Sequence, residues 1–433
     1  MDGGVLVHAR NLGPRINVVN VDCMINVRVV AYALMVTWLS SDDASKCLGV
    51  SRTTLYAYVS RGLVRSSPSP GNTHQRRYAA EDVERLRSRS EQRRDPGKTA
   101  ERALHWGVPV LESSITLIDS DRLYYRGYDA CELARTRSVE EVAALLWTGG
   151  FDASIFASTP LHVVAGGKSA EDLPFVSRAQ SMLPLVGARD PLAYDLRPRA
   201  VAQTGWRIVN LLTSVAVESA ELEDSIEETL HKRWTPKMPH AVELLRAALI
   251  LCADHELNVS SFTARCVASA GSSPYAVVVA GLTAIEGAKH GGMSEKVESM
   301  FTDLRRARDV RKALADRLRR HEPIHGFGHR LYADGDPRAA LLMELLAKRF
   351  AKSPEVVFAR GVAKAGEELT GDKPTIDFAL VALARALKLD RGAALTLFAL
   401  GRSIGWIGHA IEQYAKDEMI RPRARYVGDA PKG

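Results

Sequence analysis

The sequence predicts an all-α protein, and three observations carry that prediction. Apolar residues recur at helical spacing in Val139 to Trp147, Ala241 to Ala253, Ser261 to Ser269, Tyr275 to Glu286, Arg338 to Phe350, Phe378 to Leu387 and Ile404 to Tyr414. No strand-helix alternation accompanies them. No glycine-rich nucleotide loop of the GxGxxG or GxxxxGK(S/T) type is present. At 433 residues, 46% hydrophobic and 25% charged, the chain suits two or more domains and a large core. Aromatics are only 6%, which does not suggest a repeated aromatic binding surface.

Residues 1–37 hold no sustained period and read as an uncertain tail. Met35-Val36-Thr37-Trp38 looks like the start of a folded module, so Met35 competes with Met1 as the translation start. The apolar stretch Val29 to Leu39 is too short to span a bilayer. It lies behind Arg10 and Arg15 with no clear cleavage site after it, which argues against a signal peptide. The cysteines, Cys23, Cys47, Cys131, Cys252 and Cys266, are scattered without CxxC pairs. Reduced thiols in a cytoplasmic protein are expected.

A compact helical module is expected over residues 38–94. Ser40 or Ser41 caps a first helix opened by Asp42 and Asp43, with Ala44 and Leu48 on its apolar side. Gly49-Val50 makes the turn, and Ser51 caps a second helix, Arg52 to Val59, stopped by Gly62. A Ser/Pro/Gly/Asn-rich loop follows from Ser66 to Thr73. A third helix is expected from about Glu81 to Arg94, anchored by Val83 and Leu86. Between residues 44 and 106, thirteen Lys and Arg stand against six Asp and Glu, so the chain's net charge of +7 is concentrated there.

Ser51-Arg52-Thr53-Thr54-Leu55-Tyr56 and Arg77-Tyr78-Ala79-Ala80-Glu81-Asp82-Val83 resemble the MerR-like and excisionase-like helix-turn-helix modules. The resemblance implies DNA contact, with Arg52, Thr53, Thr54 and Tyr56 facing the groove and Arg76 and Arg77 meeting phosphates. A solvated basic cap used for packing or assembly is the open alternative.

Residues 95–106, opened by Asp95-Pro96-Gly97, read as a linker, and the body starts at Gly107. Ser114 to Ile118, the turn-like Asp119-Ser120-Asp121, and Leu123 to Tyr128 form the one place where a hairpin is expected. Polar residues then gather in short stretches within an apolar chain. These are Asp254 to Ser261, Glu286 to Gly292, His325 to Arg338, Pro374 to Phe378, Gly401 to Trp406 and Arg421 to Arg423. His290 is followed by two glycines, a break that lets a large ligand come close. Asp336-Pro337 is a helix start that fixes Arg338 on a rigid element. Asp377 stands between Ile376 and Phe378, where shielding would raise its pKa as a general base needs. Taken singly, His255 reads as a helix-end histidine, Asp377 as a cap and Arg402 as the partner of a core carboxylate. His255, His290 and His329 match no zinc-ligand spacing, and no metal is expected.

As an ordered set, these stretches resemble the citrate synthase family from about Gly107 to Gly428. The motifs are Leu123-Tyr124-Tyr125-Arg126-Gly127-Tyr128, Asp254-His255-Glu256 with Asn258 and Ser261, His290-Gly291-Gly292, Gly326-Phe327-Gly328-His329-Arg330, Asp336-Pro337-Arg338, Ile376-Asp377-Phe378 and Arg421-Pro422. The resemblance implies a large helical domain (107–292 and 389–433) and a small one (293–388) that close over a cleft. It implies that Asp377 takes a proton from acetyl-CoA, that His290 stabilises the enolate, and that His329 polarises the keto group of oxaloacetate. His255, Arg338, Arg402 and Arg421 would hold carboxylates. Acyl-CoA is then a co-substrate, with no bound cofactor, and the protein is a homodimer or larger, with Arg421 reaching the partner's site. Citrate and CoA are the products, a step of the tricarboxylic acid cycle.

Two departures bear on specificity. Many bacterial members carry a lysine where this chain has Ala333, which touches CoA contacts. Many continue Asp-Phe with Tyr-Ser-Gly where this chain has Ala379-Leu380, which touches the shape beside the base. Three readings follow: a citrate synthase; a 2-methylcitrate synthase using propionyl-CoA, since one methylene is discriminated by only about 1–3 kcal/mol; and a DNA-binding regulator whose body senses a metabolite.

Overall fold

The computed structural model describes residues 38–69, 72–83, 86, 111–156, 173–424, 426–429 and 431. The tail at 1–37, the linker at 95–106 and most of the expected third helix lie outside them. The chain divides into two units, residues 1–111 and 112–433.

In the first unit, helix α1 (Ser41–Leu48) starts where Ser40 accepts a hydrogen bond from the Asp43 amide. It ends at Gly49, whose φ of +63° suits the left-handed cap. Helix α2 (Arg52–Ser60) starts in the same way, with Ser51 accepting from the Thr54 amide. Strands β1 (Trp38–Leu39), β2 (Ser66–Ser69) and β3 (Asn72–Ala79) form an antiparallel sheet in the order β1-β3-β2. This corrects the loop expected at Ser66 to Thr73, which is a hairpin. Its composition suits turns, but pairing overrode local preference: β3 lies between two strands, and Tyr78 is driven into the core. Pro68 is tolerated because β2 is an edge strand, and the register shifts just after it. The chain turns helical again at Ala80. Ala44, Leu48, Leu55, Val64, Tyr78 and Val83 form this unit's own core.

The second unit opens with a meander, β4 (Thr116–Asp119), β5 (Arg122–Tyr125) and β6 (Tyr128–Asp129). Its first turn is Ser120-Asp121, both at positive φ, as a tight two-residue hairpin requires. Helices follow: α3 (Ala130–Thr136), α4 (Val139–Thr148), α5 (Phe175–Gly187), α6 (Pro198–Val217), α7 (Ile226–Trp234), α8 (Ala241–Cys252), α9 (Val259–Ser269) and α10 (Pro274–Ile285). The remainder are α11 (Met293–Arg305), α12 (Val310–Arg319), α13 (Pro337–Arg349), α14 (Pro354–Thr370), α15 (Ile376–Ala386) and α16 (Ala393–Lys416).

Helix α16 is the axis of this unit and packs on α6, α8, α9 and α10. It is buried on nearly every side, and its polar residues Arg402, His409 and Gln413 are buried with it. It is long and apolar enough to cross a bilayer, but 94% of its apolar window is buried within the fold. Its true start at Ala393 lies well ahead of Ile404, because a helix buried all round has no polar face to mark where it begins. Gly405 sets the closest approach: a Cβ there would collide with the Ala253 carbonyl and the Asp254 carboxylate. That lets α16 press directly on the loop between α8 and α9, which carries His255.

Candidate active site

Six separate stretches of the second unit converge through direct contacts. The first is the loop after α8. His255 is 7% exposed, and its Nε2 lies 2.9 Å from the Tyr332 hydroxyl. Its ring meets that of His329 edge-on at 5.1 Å between centroids. Burial, then the charges of Arg338 and Arg402, push its pKa well below the ordinary histidine value.

The second stretch is the turn from Phe327 to Tyr332. Gly326 and Gly328 adopt φ of +82° and +75° on either side of Phe327, which bridges to Pro374. His329 follows. Its Nδ1 accepts from the Leu331 amide at 3.2 Å, and burial with nearby Arg338 lowers its pKa to about 4. A backbone N–H only donates, so the neutral ring carries its proton on Nε2. That nitrogen is therefore a fixed donor.

The third stretch is the start of α13. Asp336 caps the helix and holds Arg338 in a bidentate pair, with Nε at 2.9 Å and Nη2 at 2.8 Å. Both residues are 2% exposed. Burial opposes both charges; their mutual attraction outweighs it, keeping Asp336 ionised and Arg338 protonated. Asp336 Oδ2 also accepts from the Ile376 amide at 2.9 Å, which ties α13 to the first turn of α15.

Asp377 stands in that first turn, and Thr375, not Asp377, is the N-cap position. It is half-buried. Burial raises its pKa from 3.8 to about 6, against the opposing hydrogen bond from Ser294 at 2.9 Å. A carboxylate so placed is a stronger base than one in water. Phe378, Ala379 and Leu380 are fully buried, with Phe378 edge-on to Phe301 and Phe327. Ala379 and Leu380 are therefore packed in the core rather than lining an open pocket.

His290 and Arg402 complete the group. His290 Nε2 lies 2.8 Å from Ser260 Oγ, and burial followed by the charge of Arg402 lowers its pKa to about 4. Ser260 also accepts from the Trp406 indole at 3.1 Å and lies 2.8 Å from Asn258 Oδ1. Arg402 is 1% exposed; its Nε donates to the Cys252 carbonyl and its guanidinium lies 4.9 Å from the centre of Phe398. Phe398 also faces His290, at 5.8 Å between ring centroids.

Beneath His255 runs a buried polar chain. Asp254 accepts from Thr116 at 2.6 Å and lies 3.2 Å from His409 Nε2. Arg265 donates to His409 Nδ1 at 3.3 Å and to Glu412 at 3.0 Å, and Glu412 accepts from the Ser114 amide. The Asp254 carbonyl accepts from Tyr125, one of the tyrosines of β5. This chain ties the His255 loop to the hairpin and to α16.

The structure therefore gathers six of the seven expected residues: His255, His290, His329, Arg338, Asp377 and Arg402. Arg421 lies in the exposed segment after α16, and no contact among the described residues joins it to the group. Tyr332, Ser260, Ser294, Trp406 and Phe398 were not singled out from the sequence. Tyr332 and Ser260 stood inside motifs whose neighbours drew attention; Ser294 had no signal beyond following His290-Gly291-Gly292.

In the first unit, Arg52, Thr53 and Tyr56 are exposed, the last at 52%. Thr54 is half-buried with its hydroxyl 3.0 Å from Ser51 Oγ. Arg52 is paired with Asp42. Arg76 is exposed on β3, whereas Arg77 is half-buried with its guanidinium 4.7 Å from the centre of the Trp38 ring.

The family model described as "Citrate synthase, C-terminal domain" matches residues 103–154 and 197–423. One described as "Helix-turn-helix domain" matches residues 38–90. Over 359 residues the chain is 29% identical to "Citrate synthase 2" of Bacillus subtilis (strain 168), covering 76% of this chain and 96% of that one. Over 379 residues it is 31% identical to the citrate synthase of Haloferax volcanii, covering 75% and 94%. Among solved structures, the citrate synthase of Thermotoga maritima MSB8 aligns with a TM-score of 0.62 at 27% identity, covering 76% and 96%.

Proposed function

Since this chain belongs to the citrate synthase family and is an acyltransferase of that type, we propose that it condenses acetyl-CoA with oxaloacetate and water to give citrate and CoA. One observation carries the reading: a carboxyl with raised pKa, Asp377, stands with two neutral histidines whose protons are steered by fixed neighbours. An α-proton of a thioester is very weakly acidic. Its removal needs a shielded base and a placed donor for the oxyanion that forms.

Asp377 takes the proton from the acyl methyl group. Nε2 of His290 is taken up by Ser260, so Nδ1 is the nitrogen left for the thioester oxygen. For Nδ1 to carry a proton, Ser260 must donate to Nε2 rather than to Asn258. Ser260 is thus the switch that makes His290 a donor. Ser260→Ala is expected to lower kcat by about 10- to 100-fold, since small losses of orientation are that costly; a kcat within twofold of wild type would show that Ser260 has no such part. The enolate carbon then attacks the keto carbon of oxaloacetate. His329 Nε2–H polarises that keto group and supplies the proton to the new alkoxide. Arg338, already paired with Asp336, Arg402 and His255 hold the carboxylates, and no step needs a metal. Hydrolysis of the thioester frees CoA.

We place the two parts of the enzyme at 107–292 with 389–433 and at 293–388, closing over the bound acid. A homodimer working in the cytoplasm, with Arg421 serving the partner's site, completes the proposal. The test is oxaloacetate-dependent release of free thiol by the full-length protein. Comparing acetyl-CoA with propionyl-CoA by kcat/KM identifies the donor; a preference for propionyl-CoA would make it a 2-methylcitrate synthase. No release with either donor would overturn the condensing reading and favour a metabolite sensor.

For the first unit we propose duplex DNA as partner. The support is the helix-turn-helix match, the exposed face of α2 with Thr53 and Tyr56, and the concentrated positive charge. The Arg52–Asp42 pair is exposed, and such pairs contribute little, so Arg52 can exchange its partner for the groove. Arg76 is an exposed cation on β3. Arg76→Ala is expected to weaken binding on all sequences alike and to reduce the slope of log K against log salt by about one. An unchanged slope would remove Arg76 from the interface.

A further inference from the structure

The turn from His329 to Tyr332 acts on two histidines at once. Its backbone closes between the Tyr332 amide and the His329 carbonyl, at 3.1 Å. The Leu331 amide fixes His329 from within, at 3.2 Å. The next residue, Tyr332, reaches out to His255, with its hydroxyl 2.9 Å from Nε2. Tyr332 is 2% exposed. Its ring lies 4.9 Å from that of His329 and 5.6 Å from that of His255, with the Arg338 guanidinium 5.8 Å from its centre. It is the common floor of these three groups.

A phenol has one proton, and a buried hydroxyl proton requires an acceptor. Among the described residues, His255 Nε2 is the acceptor within hydrogen-bonding distance of Tyr332. Were His255 to donate instead, the phenolic proton would be left buried and unpaired. Burial keeps Tyr332 in its neutral form, so the proton is there to give.

We infer that Tyr332 is a positioning residue that places the proton of His255 on Nδ1, so that consecutive residues of one turn hold His255 and His329 in opposite tautomers. His329 presents Nε2–H; His255 presents Nδ1–H. The pairing suits a ligand with two acceptors, a keto oxygen and a carboxylate, each needing its own donor from a neighbouring ring. An imidazole left to water favours the proton on Nε2. Without the phenol, nothing bars the proton from Nε2, where a water filling the space left by the hydroxyl can accept it. The role given to Nδ1–H rests on the condensing reading above; the tautomer itself does not.

The experiment uses the full-length protein labelled with ¹⁵N-histidine and read by long-range ¹H–¹⁵N correlation without substrate. His255→Asn and His329→Asn assign the two sets of signals. The wild type is expected to show His255 protonated on Nδ1 and His329 on Nε2. In Tyr332→Phe, which keeps the ring and removes only the hydroxyl, His255 is expected to move its proton to Nε2 while His329 stays as it was. Oxaloacetate KM is expected to rise about tenfold, as for one lost hydrogen bond to a charged group. The KM for acyl-CoA and kcat are expected to stay within about twofold, the signature of lost binding that is uniform along the reaction. A wild-type His255 protonated on Nε2 overturns the inference even if the variant fails to fold. So does a Tyr332→Phe variant whose His255 keeps its proton on Nδ1, whereas a tautomer change that leaves oxaloacetate KM unaltered overturns the role given to Nδ1–H. Wild-type protein that shows the expected tautomers but releases no thiol speaks against the condensing reading alone.

Discussion

Asp377→Asn is expected to lower kcat by about 10³- to 10⁴-fold, the upper range for loss of a general base. It is also expected to make the protein more stable. Burial raises the carboxyl from 3.8 to about 6, so the folded state disfavours the ionised form that catalysis needs. For an acid whose folded pKa is raised, the cost is fully present above about pH 6 and vanishes below its ordinary pKa. A shift of this size corresponds to about 3 kcal/mol at neutral pH. Denaturant titration of wild type and variant at pH 7.5 should show the variant ahead, and the gap should close as the pH falls towards 4. In the wild type, kcat/KM should fall tenfold per unit below about pH 6, as the base takes up its proton, and level off above. A variant that retains activity, or a gap independent of pH, would take Asp377 out of the role of base. The isosteric amide keeps the contact with Ser294, so neither effect is attributable to a collapsed helix start.

The second large effect concerns the buried pair at the start of α13. Asp336→Ala would leave Arg338 with its charge buried and its bidentate partner gone. Removing one member of such a pair typically costs about 3–5 kcal/mol. Loss of the helix cap adds about 1 kcal/mol. The Ile376 amide would also lose its acceptor, which loosens the first turn that carries Asp377. A large fall in unfolding free energy and loss of oxaloacetate-dependent turnover should therefore appear together. Asp336→Asn, which retains the shape and one acceptor, should fall between. A loss of less than about 1 kcal/mol in Asp336→Ala would mean that Arg338 finds other partners or water, against its burial.

Much of this was legible in the sequence because the chemistry sits where ordinary helix rules are broken. His290 before two glycines, Asp336-Pro337 opening a helix, and Asp377 among apolar neighbours each stand out against a periodic apolar background. The helices were legible for the same reason, except where burial is complete, as at the start of α16. The hairpin at Ser66 to Ala79 was not legible. Ser, Pro, Gly and Asn report turn preference, whereas the strand there depends on partners at Trp38 and Leu39 and on the burial of Tyr78, which are non-local facts. The supports of the site were hidden too. Ser260, Ser294 and Tyr332 are common residues whose meaning comes only from the nitrogen or carboxylate each one faces.

The buried chain Asp254–His409–Arg265–Glu412 has a consequence for inheritance. Each member lies against the next, so a change at one leaves its buried neighbours with fewer partners. A descendant lineage cannot easily pass through the single-step intermediates, although an apolar quartet of similar volume could serve as well. The four positions should therefore be replaced as a block or kept as a block, and a chain that has lost His409 should seldom still carry both Asp254 and Arg265. The stretch that steadies His255 would then record common descent more faithfully than the exposed surface does, for reasons of solvation rather than of catalysis.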